Sequence, residues 1–173
     1  MAISIPDTLT ADNSGKYIMS IRLRSDGLSF SGYCPSESES FFYRNMEFDR
    51  TKPYISSLKE FFFGHEFLTY SYKRTNLVYV TSQYTVVPEE VFTEKQKNDL
   101  LSFTFSAPEN KCLHNLLARE AAEVVFGMDE EVYEFCSRSL INPSFVHHIT
   151  PQLALWKQQS RTLIPRQMYV VLH

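Results

Sequence analysis

The dipeptide Asp26-Gly27 separates two runs in which apolar and polar residues alternate. The first run begins at Tyr17 and reads Tyr-Ile-Met-Ser-Ile-Arg-Leu-Arg-Ser, and the second begins at Leu28 and reads Leu-Ser-Phe-Ser-Gly-Tyr. A period of two is typical of strands with one buried face, and Asp-Gly is typical of a tight hairpin turn. The sequence therefore predicts a β-hairpin of residues 17–25 and 28–33.

Two further elements follow the hairpin. Cys34-Pro35 and the Ser/Glu run after it predict a second turn, and residues 40–48 predict a third strand that completes an antiparallel meander. Pro53 stands near the start of a run with apolar residues at helical spacing, which predicts a helix over 53–63 that ends at Gly64.

The rest of the chain alternates strand and helix patterns. Residues 67–72 are β-rich, and the nearly continuous apolar run at 76–81 predicts a central strand covered on both faces. Residues 112–128 match a helix template as well as a strand, and we favour a strand at 122–127. The remaining patterns predict a helix start at 87–92, a helix from Thr93 to Phe103, a helix capped by Asp129, a strand at 144–149, a helix at 150–159 and a strand at 167–172. This order is typical of an α/β domain with a mixed sheet, in which later strands run parallel to the first.

Composition limits the classes of protein to which the chain can belong. Its 173 residues are 43% hydrophobic and 14% aromatic, which excludes a disordered or low-complexity protein and suits a single domain. The formal net charge of -3 disfavours generic binding to nucleic acid. We therefore expect no nucleic-acid partner.

The cysteines and the N-terminal residues bear on the cellular compartment. Cys34, Cys112 and Cys136 are odd in number and widely spaced, which favours reduced thiols. The N-terminus lacks the basic start and unbroken apolar stretch of a secretion signal, and no apolar run approaches the roughly 20 residues of a membrane span. We expect a cytoplasmic protein.

Motifs that carry chemistry are missing. The sequence has no phosphate-binding glycine loop, dinucleotide fingerprint, nucleophile elbow or zinc-protease motif. His147 and His148 are neighbours on a predicted strand, so their side chains point to opposite faces, and we expect one core-facing and one exposed histidine rather than a metal pair. The sequence therefore predicts no catalytic and no metal-ligating residue.

The first hairpin combines basic and aromatic residues. Lys16, Arg22 and Arg24 lie close to Tyr17 and Tyr33, an arrangement that could bind single-stranded nucleic acid by stacking. Two arginines spaced by two residues also suit a solvated sheet face, which is the interpretation we favour.

Two segments are candidate interfaces. Phe61, Phe62 and Phe63 are successive residues about 100° apart on a helix, so they cannot all face one core. At the C-terminus, Met168, Val170 and Leu172 share one face of a β-prone run. We expect one of the three phenylalanines to be exposed or covered by another segment, and we expect Met168, Val170 and Leu172 to pack against a second subdomain, another copy of the chain or a partner strand.

The order of elements resembles the first subdomain of the ribonuclease H-like, actin-like ATPase fold. Three runs, at residues 125–128, 145–151 and 168–173, are similar to a family of Bacteroidetes proteins with this fold, whose wider relatives include pilus-assembly and secretion-system cytoplasmic scaffolds. Residues 1–15 contain Pro, Asp, Asn and Gly with little periodicity, which predicts a flexible lead-in. The resemblance implies the actin-like first subdomain over 16–166 and, at 167–173, the first strand of a truncated second subdomain.

The resemblance also implies that the residues of the first turn distinguish an ATPase from a non-catalytic protein. Active members of the wider fold carry Asp, an apolar residue, Gly and then Thr or Ser between their first two strands, whereas this chain reads Arg-Leu-Arg-Ser-Asp-Gly from Arg22 to Gly27. Arginine replaces the expected acid. Mg²⁺ binds through oxygen ligands, which an arginine side chain does not supply. We therefore predict a non-catalytic protein-interaction scaffold without cofactor, which binds a protein partner or second subdomain and can self-associate. The alternative is an ATPase-like enzyme in which Ser25, Asp26 and Gly27 contact ATP and Mg²⁺.

Overall fold

The computed structural model describes residue 5 and residues 9–160, with no side-chain description for Ser160. The strands of this part are β1 Ile18–Arg24, β2 Gly27–Tyr33, β3 Phe42–Glu47, β4 Arg74–Tyr79, β5 Tyr84–Pro88, β6 Lys111–Leu117, β7 Ala122–Met128 and β8 Ser144–His147. The α-helices are α1 Tyr54–Gly64, α2 Lys97–Thr104, α3 Glu130–Ser139 and α4 Ile149–Ser160.

The main sheet is mixed and has the strand order β3-β2-β1-β4-β8. The first three strands form the predicted antiparallel meander, β4 runs parallel to β1, and β8 runs parallel to β4. A parallel partner for β1 needs a crossover connection, and α1 lies in that connection. The α/β fold class with a mixed sheet and flanking helices is confirmed.

The first turn lies one residue earlier in the sequence than the predicted Asp26-Gly27 turn. Arg24 pairs with Gly27, so Ser25 and Asp26 form the turn and Gly27 is the first residue of β2. Gly27 has φ +155°, and a Cβ there would lie 2.1 Å from the carbonyl oxygen of Met46. The glycine is therefore required by the close approach of β3 as well as by its own backbone angle.

The core lies between one face of the main sheet and two helices. Alternate residues of β1 point inward, and Leu58, Phe61 and Phe62 of α1 are buried against them. Asp129 caps α3 as predicted, because its Oδ1 accepts a hydrogen bond from the backbone N–H of Val132 at 2.9 Å. The inward face of each element therefore follows from its sequence period.

A second sheet, with strand order β5-β7-β6, is inserted between β4 and α3. Both of its pairings are antiparallel, and α2 packs on it through a small core of Val87, Leu101, Cys112 and Val125. The strand predicted at 122–127 exists, but the expectation that it runs parallel to β1 is wrong. A short apolar run identifies a buried strand without identifying its partner.

Several local predictions are corrected. Residues 67–72 are not a strand, because a 3-10 helix occupies Glu66–Thr69 and buries the adjacent side chains of Phe67 and Leu68. The helix start predicted at 87–92 is wrong at its first residues, because strand β5 continues to Pro88. A 3-10 helix follows at Glu89–Val91.

The predicted central strand also differs in extent and burial. Strand β4 ends at Tyr79, with Thr75 and Leu77 buried while Asn76 and Val78 are half-buried. It is therefore fully covered on one face only.

The two ends of the chain bear on the predicted boundaries. Leu9 is buried, and Ser14 donates hydrogen bonds to the carbonyl oxygens of Ala11 and Ser71. Packed structure thus reaches into the segment expected to be a lead-in. The strand predicted at 167–172 lies outside the described residues.

Candidate functional site

A cleft opens where β1 and β4 end. The two strands are parallel, so their carboxyl ends meet at one edge of the sheet, which is where ligands bind in open α/β sheets. The cleft has a volume of about 390 Å³, and its lining residues are Arg24, Ser25, Tyr54, Tyr79, Val80, Thr81, Ser82 and Glu109. It is therefore the natural place to look for the nucleotide site that the fold implies.

Charges at the first turn are paired within the protein. The Nε atom of Arg24 lies 3.0 Å from Oδ1 of Asp26, and its Nη1 donates to Oδ1 of Asn45 at 2.5 Å. The hydrogen bond from Arg24 holds the pKa of the Asp26 carboxyl below its usual value. Asp26 is thus an ionised carboxylate that already has a cationic partner.

The turn does not fit a complex of Mg²⁺ and phosphate. A hard cation needs carboxylate or carbonyl oxygens, yet the guanidinium of Arg24 holds an oxygen of Asp26. The turn contains two residues between paired strands, which leaves no loop to surround a phosphate. Within the described residues, no group of three or more His, Cys, Asp and Glu side chains could hold a metal ion.

The walls of the cleft are hydroxyl-rich. Burial raises the pKa of the Tyr54 and Tyr79 hydroxyls, so both stay protonated, and Tyr54 donates to the carbonyl oxygen of Gly27 at 3.3 Å. Ser25 lines the cleft, whereas Gly27 lies in β2 behind it. Besides the cation of Arg24, the cleft offers neutral hydrogen-bonding groups, with Glu109 as its one lining carboxylate.

The adjacent histidines serve the fold. His147 is completely buried, its Nε2 lies 3.1 Å from the carbonyl oxygen of Thr81, and its Nδ1 accepts from the backbone N–H of Ile149 at 3.3 Å. Burial, with a smaller contribution from His148, lowers the pKa of His147 to about 4. One histidine faces the core as expected, but His148 is half-buried rather than exposed.

Asn115 joins the inserted sheet to the main sheet, a role that nothing in the sequence signals. Its Nδ2 donates to the carbonyl oxygens of His114 and Phe145, both at 2.9 Å. Its Oδ1 accepts from the backbone N–H of His147 at 2.7 Å and from the hydroxyl of Thr150 at 3.0 Å. The amide thereby uses all four of its hydrogen-bonding positions.

His114 lies between two carboxylates. Its Nδ1 is 3.0 Å from Oε2 of the buried Glu123, and its Nε2 is 2.6 Å from Oε2 of Glu94. These partners come from different elements, so the spacing of residues along the chain could not reveal them. The cluster links the segment before α2 to β6 and β7.

The candidate interface residues have different positions. Phe61 and Phe62 are buried and Phe63 is exposed, as helical geometry requires, while an interface at Phe63 stays a prediction. The residues Met168, Val170 and Leu172 lie outside the described part. Tyr17 is buried, so the idea of a nucleic-acid platform containing both Tyr17 and Tyr33 is wrong.

Comparison with known families identifies the chain's relatives. A family profile described as protein of unknown function (DUF3822) matches residues 6–173. The chain belongs to the DUF3822 family. Its described part contains no helix both long enough and apolar enough to cross a membrane.

A solved structure confirms the fold predicted for this DUF3822 chain. It is a protein from Bacteroides thetaiotaomicron VPI-5482 with actin-like ATPase fold and unknown function, 30% identical in sequence with a TM-score of 0.80. The match covers 89% of this chain and 60% of that one, so this chain spans about 60% of that relative's length. The DUF3822 chain therefore has the actin-like ATPase fold.

A second structure is more distant. It is the cytoplasmic domain of EpsL, an inner membrane component of the type II secretion system of Vibrio cholerae, at 15% identity and a TM-score of 0.40, covering 76% of this chain and 55% of that one. The comparison with curated proteins gave no match.

Proposed function

We propose that the DUF3822 chain is a non-catalytic actin-like module that binds a protein partner. The observation that carries the proposal is a set of large aromatic side chains at the surface. Phe41, Tyr43 and Phe63 are 65%, 51% and 83% exposed. Contiguous apolar patches left in water are typical of protein-binding sites, and Phe41 and Tyr43 lie two residues apart at the edge of the main sheet.

The first turn supports the non-catalytic half of the proposal. Phosphate transfer in this fold needs a metal that the protein holds through oxygen ligands. Arg24 lies beside Asp26 instead, and its positive charge would repel a metal ion placed there. The cleft therefore lacks the electrostatic arrangement that the reaction requires.

Phe63 is the first candidate contact for a partner. It lies at the end of α1 with its ring 6.5 Å from that of Phe135, and Lys59 lies 6.0 Å from the Phe135 ring centre. A partner here could be a separate protein, a second copy, or a second subdomain that also contacts Met168, Val170 and Leu172. The cytoplasmic location predicted from the sequence remains a prediction.

The alternative function is nucleotide binding in the cleft. It is favoured by the cleft's position at the carboxyl ends of β1 and β4 and by the lining hydroxyls of Ser25, Thr81 and Ser82. Such binding would rest on hydrogen bonds rather than on a metal at the first turn.

Calorimetric titration of the chain with Mg-ATP, together with an assay for released phosphate, tests the proposal. We expect neither micromolar binding nor phosphate release, and observing both would overturn the non-catalytic interpretation. If heat is detected, Thr81→Val and the matched control Thr104→Val decide whether it arises in the cleft. Thr81 lines the cleft, whereas Thr104 lies on α2.

A further inference from the structure

Three consecutive aromatic residues lie at the start of the edge strand β3: Phe41 directly precedes the strand, and Phe42 and Tyr43 are its first two residues. A strand turns successive side chains to opposite faces, and Phe42 is the one that enters the core. Its ring lies against Gly32 so closely that a Cβ there would be 2.5 Å from Cζ of Phe42. Because Gly32 and Phe42 fix the inward position, Phe41 and Tyr43 must face outward.

Tyr33 adds a third ring to this outward face. The register of β2 and β3 ends at Gly32 with Phe42, and Tyr33 follows Gly32 while Phe41 precedes Phe42, so both lie at the same end of this strand pair. Tyr33 is 43% exposed. We call Tyr33, Phe41, Tyr43 and the loop Cys34–Ser40 the meander-end surface.

The loop of the meander-end surface is acidic. It carries Glu37 and Glu39, both exposed, and the sequence has no Lys, Arg or His from Asp26 to Tyr43. The nearest cation along the chain is Arg44, which directly follows Tyr43 and whose Nη1 donates to the carbonyl oxygen of Tyr43. On the outward face, Arg74 lies two strands from Tyr33, beyond Ile18, and the exposed Arg22 of β1 is paired with Ser29. The exposed Lys16 precedes Ile18 by two residues.

The same loop is held in one conformation by its own hydrogen bonds. Oγ of Ser40 accepts from the backbone N–H of Cys34 at 2.8 Å and donates to the carbonyl oxygen of Glu37 at 2.6 Å. The backbone N–H of Glu37 donates to the carbonyl oxygen of Cys34 at 3.0 Å. A loop ordered before binding loses little conformational entropy when a partner docks.

We propose that the meander-end surface binds a cationic segment of a partner protein. An arginine or lysine side chain would lie over the rings of Tyr33 and Phe41, with its charge directed toward Glu37 and Glu39. A nucleic acid could stack on the same rings, but its phosphates would meet the two carboxylates, so the charge favours a basic peptide. The inference rests on the proposed function and adds the chemistry of the partner.

Titration of the isotope-labelled chain with short synthetic peptides, followed by NMR, tests the proposal. One peptide consists of glycine, serine and arginine, and its control replaces arginine with citrulline, which keeps the shape and removes the charge. We expect shift changes around Tyr33 and Phe41 with the arginine peptide only. Raising salt from about 50 to about 300 mM should weaken them.

Variants locate the binding. Phe41→Ser should weaken arginine-peptide binding by about three-fold, the size of one exposed cation–π contact, and Glu37→Gln with Glu39→Gln should remove most of the salt dependence. The matched controls are Phe103→Ser and the pair Glu89→Gln and Glu90→Gln, which are exposed aromatic and acidic residues elsewhere. The controls should bind like the parent chain.

Equal binding of the arginine and citrulline peptides, or no binding of either, would overturn the proposal, as would equal losses in the control variants. Binding of an oligothymidine in place of the arginine peptide would overturn it as well. Such a failure is distinct from failure of the proposed function. The Mg-ATP titration tests the proposed function separately, and Phe63 would remain a candidate contact for a protein partner.

Discussion

Replacing Asn115 with aspartate should separate the inserted sheet from the main sheet. The two side chains have nearly the same shape, but aspartate exchanges the two N–H donors of Asn115 for a second acceptor oxygen. That oxygen would face the carbonyl oxygens of His114 and Phe145, which the Asn115 amide contacts at 2.9 Å. Asn115→Asp therefore turns two attractive contacts into two repulsive ones.

The expected loss of stability follows from these contacts. Each lost hydrogen bond costs about 1 kcal/mol, and each half-buried carbonyl left without a donor adds about 1 kcal/mol. The hydrogen bonds that the side chain accepts from His147 and Thr150 become charge-assisted and return about 1 kcal/mol. The free energy of unfolding should therefore fall by about 3 kcal/mol.

Urea unfolding at pH 7, followed by circular dichroism, measures the loss. Asn45→Asp is the matched control, because Oδ1 of Asn45 accepts from Arg24 and a carboxylate there would pair with the guanidinium. We expect this control to be neutral or slightly stabilising. A change of less than about 0.5 kcal/mol in Asn115→Asp would show that the amide does not join the sheets energetically.

Three further changes probe the fold. Burial lowers the pKa of His147 from 6.5 to about 4, so the side chain is neutral in the folded protein, and its contribution to stability is complete above pH 6.5 and is lost as pH falls toward 4, by up to about 3 kcal/mol. His147→Gln should therefore flatten the slope of the unfolding free energy between pH 7 and pH 5. An unchanged slope would contradict this assignment. Gly27→Ala should lower the free energy of unfolding by at least about 2 kcal/mol in urea titrations. Gly64→Ala, where the added Cβ would enter open space, should change the free energy of unfolding by under about 1 kcal/mol. Equal effects would refute the close approach of Met46 to Gly27. Asp129→Ala should reduce the thermal midpoint by an amount equivalent to about 1 kcal/mol through loss of the α3 cap, and an unaltered midpoint would argue against the capping bond.

Short sequence patterns predicted the elements that are stabilised by contacts between residues close together in the chain. The alternating runs around Asp26-Gly27 gave the hairpin, and Asp129 with its hydrogen bond to Val132 marks the start of α3. The second sheet could not be predicted, because residues 112–128 match a helix as well as a strand and nothing in β6 or β7 indicates which strand each one joins. Residues 67–72 misled for a related reason, since Phe67 and Leu68 are both buried in a 3-10 helix that no period reveals.

The candidate site was only partly accessible from sequence. The resemblance directs attention to Ser25 and Asp26, and Arg22, which stands where active members of the wider fold carry the acid, argues against a metal. The hydrogen bond from Arg24 to Asn45 and the place of Glu109 in the cleft depend on elements far apart in the chain. Such contacts are set by tertiary packing, which local patterns do not encode.

The strand order of the main sheet has a consequence for the way the chain folds as it is synthesised. β1 is central, and its two neighbours are β2, the next strand in sequence, and β4, which arrives only after α1. The meander can form from contacts of low sequence separation while the rest of the chain is still absent, and β4 and then β8 can add outward to an existing edge. Each strand of this sheet thus finds a template that was made before it, and the slow step is the capture of β8, because residues 80–143 between β4 and β8 form a longer connection than residues 25–73 between β1 and β4.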